Sequence, residues 1–277
     1  MGEPMENELL EIDLLLETVF QKYGYDFRSY AKASIERRAR QFMAAAGYGS
    51  LAELTRAAVE DRGVFSSLSR AFSVPVTEMF RDPRAYLAVR EQVVPLLRTW
   101  PHFKVWHAGC ASGEEVYSLA IVLKEEGVYD RATIYATDFN DSALERARAG
   151  VYPAARMKEA TRAYQEAGGK ASFSEYYHSR YEAAVMREEL RERIVFSNHN
   201  LVSDGVFGEM HLVFCRNVLI YFNRDLQNRA LGLFTESLVC GGFLCLGTKE
   251  DVRFSDYSRF YEPVAKQERI FKRKCLQ

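Results

Sequence analysis

Eight consecutive residues, Ala108-Gly109-Cys110-Ala111-Ser112-Gly113-Glu114-Glu115, put small side chains and two carboxylates side by side. An apolar run precedes them and a helical pattern follows, so they read as a turn from a strand into a helix. Small residues let a ligand approach the backbone, and the free N–H groups of a helix start favour polar or anionic ligand atoms. A dinucleotide site would carry G-x-G-x-x-G. Here the small residues fall at Gly109, Ala111 and Gly113, and glutamates follow at once. Carboxylates repel a pyrophosphate, which argues against NAD or ATP. A cofactor bearing positive charge suits the turn better, and S-adenosylmethionine carries an ammonium and a sulfonium. A tight turn without any ligand is the competing reading of so short a motif.

Two further places have chemistry to offer. Asp138 ends the next apolar run, where nucleotide-type folds set a carboxylate against ribose hydroxyls. It could instead cap the helix opening near Asp141, although Asp141 and Ser142 are better placed to do so. The stretch Phe214-Cys215-Arg216-Asn217-Val218-Leu219-Ile220-Tyr221-Phe222 closes another apolar run. Ligands of open α/β sheets lie beyond the carboxyl ends of strands, so Asn217 and Tyr221 fall where a reacting group belongs. Tyr221 as a plain aromatic lid on the core is the alternative.

Such residues need elements that bring strand ends together. Up to about residue 72 the pattern is helical. Leu9, Ile12, Leu15, Leu16 and Val19 share one face, Tyr30–Ala46 forms a second helix, and Ser50 caps a third over Leu51–Val59. Strands are predicted at Phe103–Ala108, Ala132–Thr137, Arg193–Ser197, His211–Cys215 and Phe243–Gly247. Helices are predicted at Glu115–Glu126, Asp141–Ala149 and Asp225–Val239. A closing hairpin spans Phe260–Lys274. Alternation of strand and helix predicts an α/β fold, with a doubly wound, mostly parallel sheet. The expected domains are 1–72, helical, and 73–277, with an inserted β-subdomain over about 161–192, a span too long for a plain connection.

Composition narrows the function. The 277 residues, 48% hydrophobic and 27% charged, suit a globular protein with a core of useful size. A net charge of -1 disfavours nucleic acid as partner. No run reaches the ~20 apolar residues of a membrane span, and the acidic N-terminus does not read as a secretory signal. The five cysteines show no C-x-x-C pair, so reduced thiols in a cytoplasmic protein are expected, and no bound metal.

The motifs VWHAGCASGEEVYSLAIVL, YATDFNDSALERARAGVY, FSNHNL, CRNVLIYF and VTEMFRD (Val76–Asp82) together resemble the chemotaxis receptor methyltransferases, the CheR family. They occur in the family's order over roughly residues 70 to 250, and the helical start with Tyr30 and Arg37-Arg38 fits as well. The resemblance implies a glutamate O-methyltransferase that uses S-adenosylmethionine, yields S-adenosylhomocysteine and acts on the cytoplasmic methylation helices of chemoreceptors. It implies that Pro75, Thr77 and Arg81 line the cofactor and substrate mouth. Gly109 belongs to the turn, Glu115 holds the methionyl ammonium with Glu114 beside it, and Asp138 takes the ribose. Asn200 and Leu201 meet the adenine end, and Asn217 and Val218 lie beside the methyl. Arg81 and Tyr221 would steer and orient the substrate carboxylate. The chain departs from the family at Pro75, often an asparagine, and at Met79, usually a phenylalanine.

By the same resemblance Lys32, Arg37, Arg38 and Arg40 form a basic helix face for an acidic receptor helix; a solvated charged face is the bland alternative. Family members that grip a receptor pentapeptide carry glycines in the subdomain loop. His178–Met186 has none, which predicts no such tether; the lack of a long apolar run predicts no direct membrane insertion. A small-molecule methyltransferase of the same fold, or a regulator that binds the cofactor without transfer, remain the alternatives; a nucleobase enzyme would carry an Asn-Pro-Pro-Tyr motif that is absent.

Overall fold

A computed structural model describes residues 3–72 and 77–275. Pro75, a predicted cofactor contact, lies outside the described residues. The N-terminal part folds into α1 (Glu3–Tyr23), α2 (Lys32–Ala46), α3 (Leu51–Glu60) and α4 (Arg62–Phe72). Ile12, Leu15, Leu16 and Val19 of α1 are all buried, as their helical spacing requires; the side chain of Leu9 lies outside the described part. Gly47 closes α2 at φ +78°, a left-handed position that suits glycine. Ser50 caps α3 by accepting the Glu53 N–H at 3.2 Å. Helix α4 was not separately expected. Only Asp61 parts it from α3, too little punctuation for a sequence pattern to register. Its Phe65, Leu68 and Phe72 are buried, and Tyr23 stacks on Phe65 with centroids 3.8 Å apart. Tyr221–Arg229 group with these helices, through a Tyr30–Phe222 bridge and a 2.8 Å bond from the Ala31 N–H to the Tyr221 carbonyl.

The second unit opens with α5 (Pro83–Ala88), a π-helical segment (Val89–Val93) and α6 (Val94–Leu97). Pro95 has no N–H to continue the α-helical ladder, which accounts for the widened turn before it. Then follow β1 (Phe103–Ala108), α7 (Glu114–Glu125), β2 (Ala132–Asp138), α8 (Asp141–Ala149), β3 (Val151–Pro153), α9 (Met157–Glu166), β4 (Tyr177–Arg180) and β5 (Ala183–Met186). The chain ends with β6 (Ile194–Asn198), β7 (Met210–Cys215), α10 (Arg224–Ser237), β8 (Leu238–Leu246), β9 (Tyr261–Ala265) and β10 (Ile270–Arg273).

The main sheet has the order β6-β2-β1-β7-β8-β10-β9. Its first five strands are parallel; β10 runs antiparallel to β8, and β9 to β10. Strand order reverses at β1, with β2 on one side and β7 on the other, so the carboxyl ends of these three strands frame the switch point. Val105 sits between Ile134 and Leu212 in this register. Central parallel strands are covered on both faces, hence the near-continuous burial of Phe103, Val105, Trp106, His107 and Ala108.

Three expectations need correction. The helix predicted to reach Val239 stops at Ser237, because Leu238 already pairs with Met210 as β8 begins. The small sheet, of order β3-β5-β4, takes its first strand from Val151–Pro153, upstream of the expected start at Thr161. Three residues are too few to show a period of two. The cysteines are not all reduced: Cys240 is bonded to Cys275, with their Cα atoms 5.1 Å apart, while Cys110, Cys215 and Cys245 are free and buried. Antiparallel pairing of β8 with β10 brings the two distant positions together.

Glu125, the last residue of α7, anchors the inserted subdomain. It accepts hydrogen bonds from Arg90, from the hydroxyls of Tyr164 and Tyr176, and from the Lys170 N–H. The Arg90 and Glu125 side chains are 5% and 3% exposed. Burial would raise the Glu125 pKa, but the bonds from Tyr164, Tyr176 and Arg90 outweigh it and hold the carboxyl below its usual range. Its stabilisation is therefore present above the unfolded value and lost as pH falls through the lowered one. Glu125→Ala is expected to cost about 1–3 kcal/mol at neutral pH by leaving the Tyr164 and Tyr176 hydroxyls without their acceptor, while Arg90 keeps its 3.0 Å ion pair with Glu126. In urea unfolding the gap to wild type should narrow in acid below the ordinary carboxylate range. A cost under about 1 kcal/mol would contradict a buried hub.

Candidate active site

The turn after β1 is shaped by its neighbours. The N–H groups of Gly109 and Cys110 both donate to the Thr137 carbonyl, at 2.8 and 2.9 Å. Gly109 (φ +71°) has no room for a side chain: a Cβ would lie 2.6 Å from Val218 Cγ2. At Gly113 (φ +90°) it would lie 2.8 Å from the Ala147 Cβ. Protein packing thus accounts for these two glycines, where close approach of a ligand was expected.

Asp138 stands at the end of β2, as predicted. Its Oδ2 accepts the Ala111 N–H and its Oδ1 the Asn140 N–H, both at 2.9 Å. Burial pushes its carboxyl upward, and these backbone donors oppose the shift. The cap of α8 is Asn140, whose side chain accepts the Ala143 N–H at 3.2 Å, not Asp141 or Ser142. One residue separates cap and carboxylate, leaving Asp138 to brace the turn.

Glu114 and Glu115 are both buried. Glu114 accepts the Ser112 hydroxyl at 2.7 Å. Glu115 Oε1 accepts Nη1 of Arg216 at 2.6 Å. Arg216 is the site residue that the motifs did not single out. Its side chain has no exposure, its Nη2 reaches Asp82 Oδ2 at 2.6 Å and its Nη1 also reaches the Arg81 carbonyl at 2.7 Å. A charged residue directly after a fully buried strand run must find partners, and that was the available signal. Burial raises the Glu115 pKa to about 7, against the pull of Arg216 and Arg81.

The segment before α5 is held from α7. Ser118 Oγ accepts the Phe80 N–H at 2.8 Å and donates to the Glu114 carbonyl at 2.8 Å; it also contacts Met79 Sδ at 3.7 Å. The methionine that departs from the family pattern is thus engaged. A cavity of about 530 Å³ is lined by Thr77, Arg81, Asp82, Glu114, Tyr152 and Arg156, among others. Thr77 Oγ1 and Asn217 Oδ1 are buried without a hydrogen-bond partner among the described residues. Free acceptors, with the Glu115 and Asp138 carboxylates, fit a cofactor that brings an ammonium and ribose hydroxyls. No group of His, Cys, Asp and Glu among the described residues is arranged to hold a metal.

The loop after β6 presents Asn200 and Leu201. Asn200 Oδ1 accepts the Val202 N–H at 3.0 Å, and Leu201 is buried. In the helical unit, Lys32 is bonded to Asp13 at 2.8 Å, Arg40 faces Glu36 at 3.8 Å, and Arg37 is exposed. Arg38 does not belong to the exposed basic face. It is buried, donates to the Phe72 carbonyl at 2.7 Å and lies 4.9 Å over the Tyr221 ring. Helical geometry turns it inward while Arg37 points out. Tyr221 is therefore grouped with Arg38 in that unit.

A family model described as CheR methyltransferase, SAM binding domain, matches residues 75–267, and one described as CheR methyltransferase, all-alpha domain, matches residues 10–73. The chain is 51% identical over 267 residues to the Pseudomonas putida methyltransferase Cher3, covering 96% of this chain and 98% of that protein. It is 30% identical over 247 residues to a chemotaxis protein methyltransferase of Listeria innocua, covering 88% and 91%. A chemotaxis protein methyltransferase of Borreliella burgdorferi is 26% identical over 274 residues, 92% of each chain.

Arg216→Met is expected to cost about 3–5 kcal/mol of stability, because it strands the buried Glu115 carboxylate, while Asp82 can turn to solvent. Arg216→Lys should recover only part, since one ammonium cannot fork between Glu115 and Asp82. Chemical denaturation checks both; a methionine variant as stable as wild type would contradict the bridge.

Proposed function

Since the chain belongs to the CheR methyltransferase family, we propose that it forms γ-methyl esters on glutamates of chemoreceptor methylation helices, working in the cytoplasm. It is an S-adenosylmethionine-dependent methyltransferase. The observation that carries the reading is Glu115: a buried carboxylate at the strand-to-helix turn that repels phosphate and attracts an ammonium. Among the described residues no helix is long and apolar enough to cross a membrane.

When bound, S-adenosylmethionine supplies an electrophilic methyl on a positively charged sulfur. Glu115, with Glu114 beside it, would hold the methionyl end, and Asp138 the ribose. Asn200 and Leu201 would meet the adenine, and Asn217 and Val218 would flank the reacting end. A glutamate side chain has an ordinary pKa of ~4.3, so it is an anion at neutral pH and needs no general base. The protein's task is to align that anion and to exclude water. Opposite charges vanish as the ester forms, so buried walls such as Met79 and Phe80 favour the transition state over the separated ions. Arg81, which lines the cavity mouth, would steer the carboxylate, and Tyr221 would orient it.

For the partner, the exposed part of the basic face is Lys32, Arg37 and Arg40. Charge complementarity to an acidic receptor helix there sets encounter rate and register more than affinity. The hairpin of β4 and β5 turns at Tyr181 and Glu182 without glycine, and we read this enzyme as working without a pentapeptide tether. A small-molecule substrate would leave the helical unit and its basic face without a role.

Incubation with labelled S-adenosylmethionine and receptor-bearing membranes should give base-labile methyl ester, and binding without ester label would overturn the reading. In the same assay Arg81→Ala should lower kcat by a factor well above its effect on cofactor affinity; equal losses would remove Arg81 from the substrate's path.

Cofactor affinity should also depend on pH. Glu115 is proton-bound in the free protein below about 7 because burial raises it, and a bound ammonium favours the ionised form. Binding of S-adenosylhomocysteine should then release a proton and tighten as pH rises through that value, by at most about tenfold per unit. Titration calorimetry in buffers of different ionisation enthalpy measures both. Flat affinity across this range would take Glu115 out of contact with the ammonium.

A further inference from the structure

The Cys215-Arg216-Asn217 turn is pinned from two sides. The Arg216 side chain is drawn to Glu115 and Asp82. The next peptide is held by a carboxylate that the motifs did not include, Glu250. Pairing of Cys215 with Leu246 sets the ends of β7 and β8 side by side, and a tight turn, Glu250 N–H to Gly247 carbonyl at 2.9 Å, follows β8. Glu250 is 5% exposed. Its hydrogen-bond donors are backbone N–H groups: Gly247 at 2.6 Å and Asn217 at 3.0 Å on Oε2, Ile220 at 3.3 Å on Oε1, and Leu219 beside them. Burial pushes its carboxyl up, and these donors oppose that shift.

The residue so held is unusual. Asn217 has φ +58°, a left-handed conformation that is uncommon outside glycine, although asparagine tolerates it better than other residues with a side chain. Its Oδ1 is buried and has no partner among the described residues. Val218, the next residue, packs on Gly109 of the turn after β1. Space at Gly247 is equally tight: a Cβ there would lie 2.8 Å from the Asn217 N, 2.8 Å from Glu250 Oε2 and 3.0 Å from Asn217 Nδ2. The two loops close only because residue 247 is glycine. Strain at Asn217 persists only if the surroundings over-determine it, and a carboxylate that takes its N–H and three others does so.

We propose that Glu250 is a positioning residue of the cofactor site: its carboxylate fixes the left-handed turn that holds the Asn217 side-chain carbonyl ready to accept a hydrogen bond from the cofactor. The inference rests on the reading of this site as the S-adenosylmethionine site. Glu250 acts through Asn217 and does not itself touch the cofactor, which sets its effect apart from that of Glu115 or Asp138.

The test is a double-mutant cycle on the full chain, with S-adenosylhomocysteine as ligand and calorimetry as readout. Glu250→Ala should weaken binding by about tenfold or more. Glu250→Gln should weaken it less, because its amide oxygen can still take the Gly247 and Asn217 N–H groups. In an Asn217→Gly background, where the left-handed turn is free of strain and the side-chain carbonyl is gone, Glu250→Ala should cost under about twofold. Equal losses in both backgrounds would overturn the proposal, as would unchanged affinity of a folded Glu250→Ala protein. Should that variant not fold, Gly247→Ala, which drives a methyl between Glu250 and Asn217, should show the same non-additivity with Asn217→Gly. Absence of binding by the wild-type chain would overturn the cofactor site as well; normal wild-type binding with additive losses overturns only the role of Glu250.

Discussion

A guanidinium with no exposed surface must be neutralised where it stands, and at the end of β7 that condition organises the site. Arg216 is met by Glu115 from the start of α7 and by Asp82 from the segment ahead of α5. Burying Arg216 and Glu115 costs several kcal/mol for each ion unless the geometry is good, whereas Asp82 keeps 38% of its side chain exposed. Both ion-pair contacts are 2.6 Å, and the Arg81 carbonyl takes a further bond. Three segments far apart in sequence are thus fixed by one side chain. The surplus of carboxylate over guanidinium leaves the site receptive to a cation, which is the requirement of a sulfonium donor with an ammonium tail.

The backbone around this bridge is held in conformations that free peptides avoid. Phe80, Asp82, Ala111 and Asn217 all have positive φ, at 54°, 52°, 48° and 58°. Each costs on the order of 1–3 kcal/mol unless its surroundings compensate. The compensations are visible: Ser118 takes the Phe80 N–H, Asp138 the Ala111 N–H, and Glu250 the Asn217 N–H. Buried side-chain oxygens satisfy backbone donors that a relaxed loop would offer to water. The result is a set of loops whose shape is decided before any ligand arrives, which lowers the entropy lost on binding.

Sheet topology explains why these loops meet. Reversal of strand order at β1 sets the carboxyl ends of β1, β2 and β7 side by side, with Glu115, Asp138 and Asn217 at or just beyond those ends. Exact glycines at 109 and 247 then let adjoining loops approach within van der Waals distance of Val218 and Asn217. The small sheet is joined to this unit by the bonds that Tyr164 and Tyr176 make to Glu125, on the same helix whose first turn carries Glu114 and Glu115.

Much of this was legible in the sequence because it is local. Apolar runs and helical spacing marked β1 and α8 to the residue, and the Gly109–Glu115 turn, Asp138 and the ordered motifs pointed to the cofactor and the family. Local patterns record periodicity, caps and turns. They do not record who meets whom across the sheet. Glu115 and Arg216 stand 101 residues apart, and Asp82 and Arg216 stand 134 apart. Which carboxylate finds that cation depends on strand order, and so does the bond between Cys240 and Cys275. The inward turn of Arg38, the cap at Asn140 and the grip of Glu250 on Asn217 were likewise decided by packing, since a charged or polar side chain reveals its partner only once the backbone has brought the two together.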